Sequence, residues 1–134
     1  MQKTTTAYTT YEFYAENTLF ITRSISIPPN QKVLLEEEQI SQQYLFRFQP
    51  YLWLIDLSKV LIDTSPVNVI ADSHRWLEPL KLTNLKKVAY LVGCTPSDSH
   101  TYAKLLIEEF ELSHGSILYK SFIQEAEAME WLLK

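Results

Sequence analysis

YLWLIDLSKVLIDTSPVNVIADSHRWL, residues 51–77, is the stretch that decides the fold of this chain. It opens with a continuous apolar run, Tyr51–Leu57, which is typical of a strand buried on both faces. A helix is predicted to follow from Pro66, because apolar residues recur there at helical spacing. Its predicted inner face carries Val67, Ile70, Ala71, His74 and Leu77. Strand and helix meet at a polar turn, where α/β proteins usually place their binding and catalytic groups.

The later part of the chain repeats this pattern. Two further apolar runs, Val88–Val92 and Ile117–Phe122, predict more buried strands. Thr95–Asp98 combines a threonine, a proline and an acid in the order that favours a helix start, and a last helix is predicted over Gln124–Leu133. Strands that alternate with helices in this way favour a parallel arrangement.

The first part of the chain has a different pattern. Tyr8–Ala15 and Leu19–Ile27 nearly alternate apolar and polar residues, which predicts an antiparallel hairpin with one buried face. A Pro-Pro pair ends the second strand, and Asn30 is suited to cap a helix over residues 31–46. Glu36–Glu38 are predicted to lie mainly on the solvated side of that helix.

The predicted order of elements is β-β-α-β-α-β-α-β-α. With 134 residues, of which 46% are hydrophobic, the chain is long enough and apolar enough to form one core. We interpret residues 1–134 as a single α/β domain with a mixed sheet flanked by helices. The outer edge of the N-terminal hairpin needs pairing or protection, so a homodimer is left open.

Composition argues against several classes of function. The formal net charge is -4 and no basic stripe is present, which disfavours nucleic acid as a partner. Residues 1–10 are polar, so neither a signal peptide nor a transmembrane segment is expected. A single cysteine, Cys94, favours a reducing cytoplasm. Because the chain has only two glycines, no glycine-rich phosphate loop and no nucleotide cofactor are expected.

Four segments resemble a known family. Leu54–Ser58 on a strand and Ile62–Ser65 at the next helix start are similar to the STAS domain of bacterial anti-sigma factor antagonists. In that family an apolar strand leads into Asp-Leu-Ser, a spacer and Asp-Ser-Ser-Gly. Lys87–Gly93 and Phe122–Leu132 look more like the SpoIIAA-like subgroup of uncharacterised small bacterial proteins. The resemblance covers most of the chain and implies a STAS-like fold.

The resemblance implies a non-enzymatic regulatory module that binds another protein. In the phosphoregulated branch a hydroxyl at the start of this helix is phosphorylated, and the added charge weakens binding. By position, Thr64 is the phospho-acceptor that the resemblance implies, with Ser65 next. The implied interaction surface comprises Asp63, Pro66 and Asn68, and Pro66 stands where the family prefers glycine.

Other interpretations use the same residues. Asp63, Thr64 and Ser65 are also what an ordinary helix cap prefers. The high aromatic content, 13% of the chain, is compatible with a groove for an apolar small molecule. In outline STAS-like folds are similar to CRAL-TRIO lipid-transfer domains, so a small apolar-ligand carrier is the alternative function.

Catalytic and metal chemistry has weaker motifs. Cys94 precedes a predicted helix amino end, where the pKa of a thiol falls, although a buried structural cysteine is the commoner case. His74, His100 and His114 are too scattered to form a metal motif, so no metal site is predicted. Asp56 and Asp63 are candidates for an acid and base pair, or for ordinary capping.

Overall fold

The computed structural model describes residues 1–60, 66–93, 98–113 and 116–134, and for residues 66–70, 98–100 and 112–113 it describes the backbone alone. Within these ranges the strands are β1 (Gln2–Thr5), β2 (Thr9–Tyr14), β3 (Leu19–Ser24), β4 (Leu52–Asp56), β5 (Lys87–Leu91) and β6 (Leu118–Phe122). The helices are α1 (Gln31–Phe48), α2 (Pro66–Lys81), α3 (Asp98–Ser113) and α4 (Glu125–Leu133). None of these helices, over their described residues, is both long and apolar enough to cross a bilayer.

The six strands form one mixed sheet in the order β1-β2-β3-β4-β5-β6. The pairs β1–β2 and β2–β3 are antiparallel, and the pairs from β3 to β6 are parallel. An α/β fold with an antiparallel start and parallel β-α units is therefore confirmed. The predicted order lacked β1, which is polar and mostly exposed, so it carries no apolar alternation and is held by backbone pairing with β2.

Both faces of the sheet are covered. The larger core lies between the sheet and α1, α2 and α3, whereas α4 packs on the opposite face. On β4, Trp53 points into the larger core and Leu54 into the smaller one, because successive side chains of a strand alternate between faces. In the strand register Leu54 lies between Ile21 and Ala89, which belong to the same smaller core.

The predicted hairpin with one buried face is wrong for its second strand. Phe20 and Ile21 are neighbours in β3 and both are buried, because α1 covers one face of the strand and α4 covers the other. The strand also ends earlier than predicted, at Ser24. Ile25 and Ile27 lie beyond it and are about half exposed.

The ends of α1 follow the capping rules. Asn30 has extended backbone and its Oδ1 accepts a hydrogen bond of 3.0 Å from the backbone N–H of Val33. The helix ends where Gln49 adopts the left-handed conformation, with φ of 48°. The predicted cap is confirmed, and the helix runs about half a turn further than predicted.

The buried face of α2 is shifted by about one residue from the predicted one, so the prediction is wrong. His74 is exposed, whereas its neighbour Ser73 is almost completely buried and Leu80 lies in the larger core. A histidine counted as apolar shifted the predicted face away from Ser73, which is polar by type. His74 is therefore not the buried ligand or base that its position in the pattern suggested.

Candidate functional site

The larger core is not completely filled. A cavity of about 190 Å³ lies between the sheet and helices α1, α2 and α3. Its sheet side carries Tyr11, Trp53, Tyr90 and Tyr119, one aromatic residue each from β2, β4, β5 and β6. The cavity therefore extends across most of the width of the sheet.

A groove of about 420 Å³ adjoins this cavity between the β3–α1 connection and α2. Cavity and groove have residues in common, including Leu34, Leu57 and Tyr102. The outer groove also contacts Val60 and Ala71, on either side of residues 61–65. The groove is open to solvent and shares lining residues with the cavity, so it offers a small molecule a route inward.

An ion-pair network lies where the groove joins the cavity. Arg75 of α2 binds the carboxylate of Glu38 of α1 through two hydrogen bonds of 2.9 Å and also contacts Asp72. The Tyr102 hydroxyl of α3 donates to Asp72 at 2.7 Å. The hydrogen bonds that Arg75 donates to Glu38, together with the charges of both acids, raise the pKa of the Arg75 guanidinium. The network joins three helices at the cavity entrance.

Glu37 is buried on the cavity side of α1. Its Oε1 accepts hydrogen bonds from the Thr6 hydroxyl at 2.6 Å and from the Tyr11 hydroxyl at 3.1 Å. Glu36–Glu38 were predicted to be solvated, and this is wrong for Glu37, because Thr6 of the β1–β2 turn and Tyr11 of β2 cover it. A run of three glutamates gives no signal that one of them lies inside.

Trp53 forms the centre of the cavity wall. Its ring lies 5.5 Å from the rings of both Phe20 and Trp76 between centroids, and its Nε1 donates to the Thr22 hydroxyl at 3.1 Å. The indole is therefore fixed on both sides and at its polar atom. A rigid aromatic wall of this kind suits a flat apolar ligand.

Tyr119 lines the cavity and has a buried hydroxyl without a partner among the described residues. The residue is 8% exposed, and its hydroxyl is the buried side-chain polar atom without a hydrogen-bond partner among the described residues. Burial raises the pKa of Tyr119, so the phenol stays neutral. Buried polar groups nearly always have partners, so this hydroxyl is a place for a ligand or a water molecule to bind.

The turn that follows β4 is held by its own side chains. Asp56 Oδ1 accepts from the backbone N–H of Ser58 at 3.0 Å and from its hydroxyl at 2.6 Å. Asp56 Oδ2 also accepts from Arg23, which binds Glu125 at the start of α4. Asp56 is thus occupied as a structural group and does not face the cavity.

Several predicted site residues fall outside what is described. Asp63, Thr64, Ser65, Cys94 and His114 lie outside the described residues. Pro66 and Asn68 are in the first turn of α2 and His100 is in α3, but their side chains are not described. In the described part of the chain, no three His, Cys, Asp or Glu side chains are grouped as a metal site requires.

Comparison with known proteins finds no family model, no curated relative and no solved structure that matches this chain. The candidate site therefore rests on its own geometry. Its main residues, Glu37, Asp72, Tyr90, Tyr102 and Tyr119, were not singled out by the sequence. Each belongs to a different element, α1, α2, β5, α3 and β6 respectively, so only the fold brings them together.

Removing the Tyr119 hydroxyl is expected to leave the free energy of unfolding unchanged or to raise it by about 1 kcal/mol, because it deletes an unpaired buried group. Removing the Tyr11 hydroxyl is the matched control. Tyr11→Phe takes away a donor to the buried Glu37 and should lower the free energy of unfolding by about 1–3 kcal/mol. Urea unfolding of both variants measures the difference. Equal losses in the free energy of unfolding would contradict the conclusion that the Tyr119 hydroxyl lacks a partner among the described residues.

Alkaline solution is expected to destabilise the fold. Burial is the main cause that raises the pKa of Tyr11, Tyr90, Tyr102 and Tyr119 above the ordinary value of 10.0. Their contribution to stability is full below pH 10.0, because both states are then protonated. Above it the unfolded state loses protons first, so stability falls as pH rises. Urea unfolding at a series of pH values above 10.0 measures how steeply the free energy of unfolding falls with pH. The fall should be shallower for Tyr119→Phe, and an unchanged fall would contradict a contribution from Tyr119.

Proposed function

We propose that the protein binds a small, largely apolar molecule in the cavity between the sheet and helices α1–α3. The observation that carries the proposal is a partly open cavity of about 190 Å³, lined by aromatic residues that include Tyr119, whose buried hydroxyl has no partner among the described residues. Protein interiors are normally packed to crystal density, so a space of this size beside an unpaired polar group favours an occupant.

The size of the cavity limits the ligand. Engineered apolar cavities of about 150 Å³ bind benzene, so the inner space accepts a single aromatic ring or a short hydrocarbon chain. A longer molecule would extend between Leu34 and Leu57 into the outer groove. The proposal is therefore binding of a ring-sized ligand, without chemistry on it.

The test combines native mass spectrometry with thermal unfolding in the presence of phenol, indole and 2-naphthol. We expect a retained small mass or an increase in melting temperature with at least one probe. Leu106→Phe places a larger side chain in the cavity wall and should reduce the increase, whereas Leu105→Phe on the same helix, which does not line the cavity, should retain it. An empty protein that responds to no probe would overturn the proposal.

A second proposal is the STAS-like regulatory module, with Thr64 or Ser65 as the phosphorylated residue. The Asp56 carboxylate and Ser58 make a fixed turn at the end of β4, and this supports a rigid platform before residues 61–65. The groove residues Leu57 and Val60 precede Thr64 by seven and four positions, so a phosphate on Thr64 or Ser65 would add charge close in sequence to the groove.

Peptide mass spectrometry of protein purified from its native cells tests this second proposal. A phosphate on Thr64 or Ser65 would support it, and complete absence of modification under several growth conditions would count against it. Ser58→Ala removes the hydroxyl that donates to Asp56 but keeps the backbone bond and both acceptors, so it is a control in which phosphorylation should be retained.

A further inference from the structure

We propose that the ligand of the cavity is a small organic cation, an aromatic or apolar body that carries an ammonium group. This inference rests on the proposed ligand-binding function and adds the charge of the ligand. It uses three features of the described site: the excess of carboxylates, the aromatic faces beside them and the unpaired Tyr119 hydroxyl.

The described lining residues have an excess of negative charge. The described residues that line the inner cavity include the acidic residues Glu37, Glu38 and Asp72 and no basic residue. Arg75 is the basic residue of the described outer groove. Three acidic groups and one guanidinium give a formal charge of -2, and a pocket with low-dielectric walls concentrates the resulting field.

The existing contacts leave part of this charge for a ligand. Arg75 is placed between Glu38 and Asp72, so it compensates one charge of that pair. Glu37 receives only neutral hydroxyl donors, Thr6 and Tyr11, among the described residues. A cationic ligand would supply the missing positive charge, and its N–H groups would bind carboxylate oxygens as charge-assisted donors.

Aromatic rings surround the same space. Trp53 and Trp76 both line the cavity, and their rings pack on each other, 5.5 Å apart between centroids with their planes at 55°. Tyr102 lines both the cavity and the groove, and its hydroxyl is bound to Asp72. Ammonium groups are attracted to aromatic faces, most strongly to tryptophan, and cages of such rings recognise organic cations.

Tyr119 is the independent sign that the cavity takes a polar ligand. Its hydroxyl is buried without a partner among the described residues, and it belongs to the same cavity wall as Trp53 and Trp76. Tyr119 is on β6 and Tyr11 on β2, four strand spacings or roughly 19 Å away across the sheet. A ligand with its ammonium at the acidic end would direct its apolar body towards the β6 side of the cavity.

An anionic ligand fits these groups less well. It would meet Glu37, Glu38 and Asp72, and the guanidinium of Arg75 is already bound to two carboxylates. A neutral ligand would gain the apolar contacts but would leave the negative charge of the carboxylates uncompensated. The charge of the ligand is therefore the property to test, with size and shape held constant.

Three probes of nearly equal shape separate these cases: 2-phenylethylamine as the cation, 2-phenylethanol as the neutral form and 3-phenylpropionate as the anion. Isothermal titration calorimetry at neutral pH should show that the cation binds at least about tenfold more tightly than the other two. Asp72→Asn should lower the affinity for 2-phenylethylamine by about tenfold and should change the affinity for 2-phenylethanol little.

Glu111→Gln is the matched control, since it removes an exposed acid of α3 that does not line the cavity. Glu37→Gln provides a second lining variant if Asp72→Asn does not fold. Equal binding of the three probes, or tightest binding of 3-phenylpropionate, would overturn the proposal that the ligand is a cation. It would leave the proposal of ligand binding intact. No binding by any probe, together with an empty protein from cells, would overturn ligand binding itself.

Discussion

Trp53→Ala is expected to lower the free energy of unfolding by about 3–5 kcal/mol, the range for removal of a large aromatic side chain from a core. Trp53 is 6% exposed and lies between Phe20 and Trp76 at the centre of the sheet. The change removes both ring contacts and leaves the Thr22 hydroxyl without its indole donor. Denaturant unfolding, monitored by circular dichroism, measures the loss.

Trp53→Phe is the matched control for this prediction. It keeps an aromatic ring between Phe20 and Trp76 and loses the N–H donor and part of the volume, so the loss should be roughly half as large or less. Trp53→Ala also enlarges the cavity, and added indole should restore part of the stability by binding in the new space. A loss below about 1 kcal/mol for Trp53→Ala would contradict the central packing of this residue.

Leu132→Ala is expected to lower the free energy of unfolding by about 2–5 kcal/mol. Leu132 is 2% exposed and packs from α4 against the face of the sheet that carries Leu54 and Ala89. The helix has nine residues, too few to be stable alone, so it depends on this contact. Thermal or urea unfolding gives the change.

The neighbouring residue is the control for Leu132. Leu133 has the same side chain and is 49% exposed on the same helix, so Leu133→Ala should cost less than about 1 kcal/mol. Similar losses for the two variants would mean that α4 does not cover the sheet through Leu132. A large loss for Leu132 alone confirms that the second face of the sheet needs α4.

The architecture could be predicted because its signals are local. The continuous apolar run of β4, the start of α1 at Asn30 and the two later apolar runs each follow from the chain within a few residues. The missed element, β1, is stabilised by hydrogen bonds to β2 rather than by apolar burial, and nothing in its sequence indicates that pairing. The inner face of α2 was also misplaced because the cause is not local. Ser73 is polar by type, and it is buried only because other residues pack over it.

The cavity and its charges could not be predicted in the same way. Glu37 looks like any glutamate of a surface helix until Thr6 and Tyr11 cover it. Arg75, Glu38 and Asp72 lie on two helices whose contact depends on how both pack on the sheet. The sequence instead favoured the turn at Asp63–Ser65, because helix caps have a recognisable composition and cavities have none.

The amino-acid sequence by itself determined an α/β fold with an antiparallel start and parallel β-α units, because hydrophobic periodicity and capping residues act over short distances. The tertiary structure alone decided which side chains share an interior. The Tyr119 hydroxyl has no partner among the described residues, and Glu37 is buried, because of packing between elements that are far apart in the chain. Such contacts depend on the volumes and angles of whole helices on the sheet, and no local pattern of residues encodes them.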